Sequence, residues 1–200
     1  MQAQPLLPLW LKISYTLMVC VIIPVYWIDL GPGNLLWFSD IALIALVPAL
    51  WLENRLINST MAVAVFFLEV GWVVDFLTGG NLIQIAAYMY EDDTDTHIRI
   101  LSGLFHLALP PVILFLLLRL GYDTRAFWTQ VALASVVLPA TYLLTDPSDN
   151  VNWVFGPAEQ QDLLPPLLYL ALLMLVLTLV VYLPSHLLFR RFLTHRRKNA

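Results

Sequence analysis

The chain has 200 residues and a formal net charge of −4; 60% of its residues are hydrophobic and only 12% are charged. Soluble domains usually carry about a quarter charged residues, so this composition excludes an ordinary water-soluble globule and points to lipid as the solvent. Cys20 is the single cysteine, which excludes an internal disulfide and a thiolate metal cluster.

In chain order, the apolar residues gather into stretches of roughly 16 to 27, close to the ~20 needed to cross a bilayer. They predict helices over 13–28, 34–52, 60–77, 98–118, 127–144 and 163–189, followed by a basic tail over 190–200. The first stretch follows Lys12, contains Pro24 and lacks a small-residue cleavage site, so it reads as a retained helix and not a signal peptide. Gly31, Pro32 and Gly33 form the first turn, 53–59 the second link and 121–125 a tight turn. Two longer polar connections remain, the acidic loop 78–97 and the segment 145–162. Within the former, the apolar stretch 81–90 is read either as a lid lying along the membrane surface or as an extension of the third helix.

Basic residues in short loops are retained on the cytoplasmic side of a membrane. Six spans place Lys12, Arg55, Arg119, Arg125, Arg190, Arg191, Arg196, Arg197 and Lys198 on one side, with only Arg99 opposite. Asp29, Glu91, Asp92, Asp93, Asp95, Asp146, Asp149, Glu159 and Asp162 collect on the other side. An odd number of spans would scramble this separation. The predicted fold is therefore all-α: a single polytopic transmembrane bundle over 1–200, of about six helices, in the cell membrane with both termini cytoplasmic. The basic tail reads as an orientation signal that contacts anionic lipid, not as a nucleic-acid site. Membrane lipids are the expected partners.

Ionisable groups inside hydrocarbon are costly and mark candidate sites. Asp40 lies on the second helix, Glu69 and Asp75 on the third, His106 on the fourth and His186 near the inner end of the sixth. Depth counting brings Ser39, Asp40, Asp75, Ser102 and His106 toward one level near the outer leaflet, with Ser102 and His106 on one helical face. Glu69 is about 240° around the third helix from Asp75. It reads as a packed, protonated acid or as a hydrogen-bond partner of a neighbouring helix. His186 reads as an interfacial histidine at the opposite end.

A serine hydroxyl becomes a nucleophile when a carboxylate-oriented histidine takes its proton. Ser39 or Ser102 is the candidate nucleophile, His106 the base, and Asp75 or Asp40 the orienting acid. Trp37, Ser102, Asn150, Asn152 and Trp153 are expected to line the mouth of such a pocket. Against this stands the alternative that the polar cluster is structural, in a protein that binds lipid or a partner without catalysis. No cofactor motif is present; a divalent cation held by Asp40, Asp75 and His106 is a further alternative.

Three segments resemble a known group: Gly103-Leu104-Phe105-His106-Leu107-Ala108-Leu109-Pro110, Asn150-Val151-Asn152-Trp153-Val154-Phe155 and Phe38-Ser39-Asp40. They are similar to the fourth-helix histidine, the aromatic loop before the last helix and the second-helix nucleophile segment of the six-helix intramembrane lipid hydrolases typified by androgen-induced protein and the YwaF-like membrane proteins. The resemblance implies a lipid acyl hydrolase or acyltransferase with His106 and Ser39 in the active site. This chain carries serine where that group has threonine or cysteine, and an alternative register sets Trp37 at that position. A second resemblance, through Ser102 and His106, is to alkaline-ceramidase-type metal hydrolases, whose further late-helix histidines have no counterpart here.

Overall fold

The computed structural model describes residues 6–92 and 94–194. Asp93 and the tail residues Arg196, Arg197 and Lys198 lie outside the described residues. Six helices make up the bundle: α1 (Leu9–Asp29), α2 (Phe38–Trp51), α3 (Arg55–Leu77), α4 (Thr96–Leu120), α5 (Ala126–Leu144) and α6 (Pro166–Leu193). All except α2 are long and apolar enough to cross a membrane. The chain is a multi-pass membrane protein.

Hydrogen bonding at the helix ends defines two poles. At the basic pole, Lys12 Nζ is 2.9 Å from Glu53 Oε1, and the same carboxylate accepts the amides of Leu6 and Leu7. Asp123 meets both Arg125 and Arg55, and its amide donates to Ser59 Oγ on α3. The Arg125 side chain and its charge hold the Asp123 carboxyl below its ordinary range. At the acidic pole, His97 at the start of α4 is 2.7 Å from Asp29 at the end of α1. Arg99, the exception to the charge separation, donates to the carbonyls of Glu91 and Thr94 and so closes the acidic loop.

α3 is the central pillar, touching α2, α4, α5 and α6. It carries no proline, whereas every other helix has at least one in its interior: Pro24, Pro48, Pro110 with Pro111, Pro139 and Pro184. Membrane helices tolerate these because neighbours and local rewinding satisfy the freed carbonyls. In α6 the rewinding is visible as a π stretch over Leu177–Tyr182, immediately before Pro184. α6 is also the most peripheral span, with 11% of its apolar window buried against 50% for α3 and α4.

α2 begins at Phe38 and not at the predicted Asn34. Its 14 residues extend about 21 Å, short of the ~30 Å hydrocarbon thickness. A 3₁₀ turn over Pro32–Leu36 and the extended Trp37 make up the difference. The free amides at the start of α2 therefore lie inside the bundle, where an unsatisfied group is costly. Asn152, from the α5–α6 connection, satisfies the first of them: its Oδ1 accepts the Phe38 amide at 3.0 Å and its Nδ2 donates to the Leu36 carbonyl at 2.7 Å. Asn152 itself has φ 53°, a left-handed conformation that asparagine adopts more readily than most residues. Asn152→Ala removes both bonds and leaves alanine in that conformation. It is expected to lower unfolding stability in micelles by about 1–3 kcal/mol; a variant that unfolds with the parent would show that α2 does not depend on this bridge.

Candidate functional site

The polar residues of α2, α3 and α4 converge on the acidic-pole half of the bundle. Glu69 is eight residues before the end of α3 and His106 ten residues after the start of α4, so both sit roughly 12–15 Å from that pole. Glu69 Oε2 is 2.6 Å from His106 Nδ1, with both residues buried. The His106 ring stacks on Trp72 at 4.2 Å and 17° and lies 3.8 Å from Phe105. Trp72 in turn stacks on Phe76, and Phe76 on Tyr90, so a series of near-parallel rings leads from the imidazole toward the acidic pole.

One turn before His106, the Ser102 hydroxyl is 2.7 Å from the Tyr88 hydroxyl; either can donate. Burial in the loop pushes the Tyr88 phenol up to about 12, so Tyr88 is a neutral hydrogen-bonding group at ordinary pH. Asp40 is buried in the first turn of α2. Its Oδ1 is enclosed and has no hydrogen-bond partner among the described residues. Such an atom marks a place where a proton, a water or a ligand hydroxyl completes the bonding. Ser39 is half-buried beside it and makes no side-chain hydrogen bond among the described residues.

The expectation that Asp75 or Asp40 orients His106 is corrected: Glu69 occupies that position. α3 can present only one side to α4, and Glu69, Trp72 and Phe76 share it by their i, i+3, i+7 spacing. Asp75 lies off that side, and its carboxylate accepts the amides of Leu82, Ile83 and Ala86 at 2.8–2.9 Å. The segment 81–90 is thus neither an extension of α3 nor a free lid. It folds back onto α3 around Asp75, ends in a 3₁₀ turn over Ala87–Tyr90, and buries Ala86 and Met89 in a small cluster with Trp72.

The other predicted lining residues divide. Trp37 is half-buried at the entry to α2, two residues before Ser39. Asn150 is spent on its own loop, donating to the carbonyls of Gly156 and Ala158 and accepting the Phe155 amide. Asn152 anchors α2, and Trp153 offers its carbonyl to the Tyr169 hydroxyl. The cation alternative also fails on geometry. With Asp75 engaged elsewhere, no group of three or more His, Cys, Asp or Glu side chains suited to a metal is present among the described residues. His186 lies at the basic pole, bonded through Nδ1 to the Tyr122 hydroxyl at 2.7 Å.

No protein-family model, curated protein or solved structure matches the chain. The site therefore stands on its own geometry.

The division of labour between the two acids is testable. Asp75→Leu is expected to speed hydrogen exchange at the amides of Leu82, Ile83 and Ala86 by on the order of tenfold while leaving the His106 imidazole resonances in place. A shift of those resonances with undisturbed loop amides would return Asp75 to the histidine.

Proposed function

We propose that the chain is an intramembrane lipid acyl hydrolase or acyltransferase of the cell membrane, with both termini on the cytoplasmic side and the reacting centre toward the outer leaflet. The orientation follows from the retention of basic residues on the cytoplasmic side. The chemical reading is carried by one observation, the 2.6 Å contact of Glu69 with His106 Nδ1.

A carboxylate on Nδ1 fixes the ring and its tautomer, which leaves Nε2 to act as the base. In the proposed reaction, Ser39 Oγ attacks the ester carbonyl as Nε2 takes the hydroxyl proton, and Glu69 stabilises the imidazolium that forms. Collapse of the tetrahedral intermediate breaks the bond to the leaving alcohol, which receives the proton from His106. A water molecule or a second alcohol then displaces Ser39 by the same steps in reverse. Ser39 is preferred over Ser102 because its hydroxyl is unengaged, whereas that of Ser102 is tied to Tyr88. Trp37, two residues before Ser39, is the aromatic residue proposed to meet the acyl chain.

A second reading, a lipid- or partner-binding protein without catalysis, draws on the covering of His106 by Trp72 and Phe105. In that case the buried pair serves to join α3 to α4.

A lipid-like fluorophosphonate separates the two. The parent protein is expected to be labelled, Ser39→Ala and His106→Ala to lose the label, and Ser102→Ala to keep it. Glu69→Gln should slow labelling by roughly 10²–10⁴-fold. Full labelling of Ser39→Ala would remove that residue as nucleophile, and an unreactive parent would favour the binding reading.

A further inference from the structure

A second feature lies at the acidic pole, away from His106. The outer ends of α5 and α6 and the connection between them enclose a cleft of about 140 Å³. Three aromatic rings from three different elements wall it: Tyr142 on α5, Phe155 on the connection and Tyr169 on α6. Val154, fully buried, lies beneath, and Gln160 and Gln161 also line it.

The cleft is fixed by hydrogen bonds. Tyr142 and Phe155 pack with ring centres 5.1 Å apart. The Tyr169 hydroxyl donates to the Trp153 carbonyl at 3.0 Å, and Asn150 clamps the loop through Phe155, Gly156 and Ala158. Gln161 is pinned at both side-chain ends by the Leu164 backbone. The rings are half-buried and Gln160 is exposed, so the cleft opens to its surroundings.

Size and charge restrict the occupant. The volume falls short of the ~300 Å³ lower bound of drug-sized pockets and is close to the ~150 Å³ cavity that accepts a benzene-sized group, which excludes a whole lipid tail. The connection 145–165 carries Asp146, Asp149, Glu159 and Asp162 and no basic residue. Three lining residues of the connection have an acid next to them in sequence: Asp146 precedes Pro147, Glu159 precedes Gln160 and Asp162 follows Gln161. An aromatic lining beside a connection whose charged residues are all acidic suits a large, weakly hydrated cation and disfavours an anion. The neighbouring α6 presents most of its surface outward, so such a cation can arrive on a molecule whose tails remain in the bilayer.

We propose that this cleft seats the quaternary-ammonium headgroup of a choline phospholipid. The seat requires no chemistry at His106 and stands whether or not the protein cleaves esters.

The test uses the full chain purified in maltoside micelles. Choline, titrated while thermal unfolding is followed, is expected to bind saturably. Its neutral isostere 3,3-dimethylbutan-1-ol should bind at least roughly tenfold more weakly, the loss expected when the charge facing the rings is removed. Tyr142→Leu should weaken choline binding by a similar factor, Tyr142→Phe should retain it, and His106→Ala should bind as the parent does. Protein recovered from bilayers of mixed phosphatidylcholine and phosphatidylglycerol should retain phosphatidylcholine in excess, with the excess lost in Tyr142→Leu. Equal binding of the neutral isostere, or undiminished choline binding by a folded Tyr142→Leu protein, would overturn the cation seat. Choline binding without phosphatidylcholine enrichment would overturn the lipid as its source.

Discussion

Hydrocarbon offers no hydrogen bonds, so each polar group carried into it must find a partner inside the protein. The contact between Glu69 and His106 is the strongest expression of that constraint here. It draws an acid of α3 and an imidazole of α4, each expensive alone, into one bonded unit. Around it the remaining polar groups of this half of the bundle are ordered: Ser102 with Tyr88, Asp75 with the amides of its loop, and Asn152 with the start of α2. Asp40 Oδ1 and Trp72 Nε1, by contrast, have no hydrogen-bond partner among the described residues.

The architecture serves this arrangement. α3, free of proline and buried by four neighbours, is the rigid element on which the acid is carried. The shortness of α2 matters equally, since a full-length span would begin at the membrane surface and place Asp40 elsewhere on its course. Ending the 3₁₀ turn at Leu36 and restarting at Phe38 sets Asp40 in a first helical turn, where the free amide ends of a helix favour an acid. The connection between α5 and α6 supplies the asparagine that makes this start possible and, a few residues later, the walls of the aromatic cleft.

Much of this was legible in the amino-acid sequence, for physical reasons that differ by feature. Hydropathy revealed six helices because a span must be long and apolar. The placing of Ser102 and His106 on one buried side of α4 followed from helical spacing alone. The choice between Glu69 and Asp75 did not, because both acids are on one helix and the decision rests on which side of α3 meets α4. Trp72 and Phe76 carried the missing signal: they share the Glu69 side, and a stripe of large aromatic residues marks a packed face. The roles of Asn150 and Asn152 were hidden for another reason. Their side chains bond to backbone made available by a broken helix and a left-handed loop, neither of which has a periodic signature.

The most direct test is a double-mutant cycle on Glu69 and His106, with each changed to leucine singly and together and unfolding stability measured in micelles. The double variant is expected to be less destabilised than the sum of the single changes, with a coupling of about 1 kcal/mol or more. Additive losses, equal to the sum within about 0.5 kcal/mol, would show that the acid and the imidazole do not act as a unit.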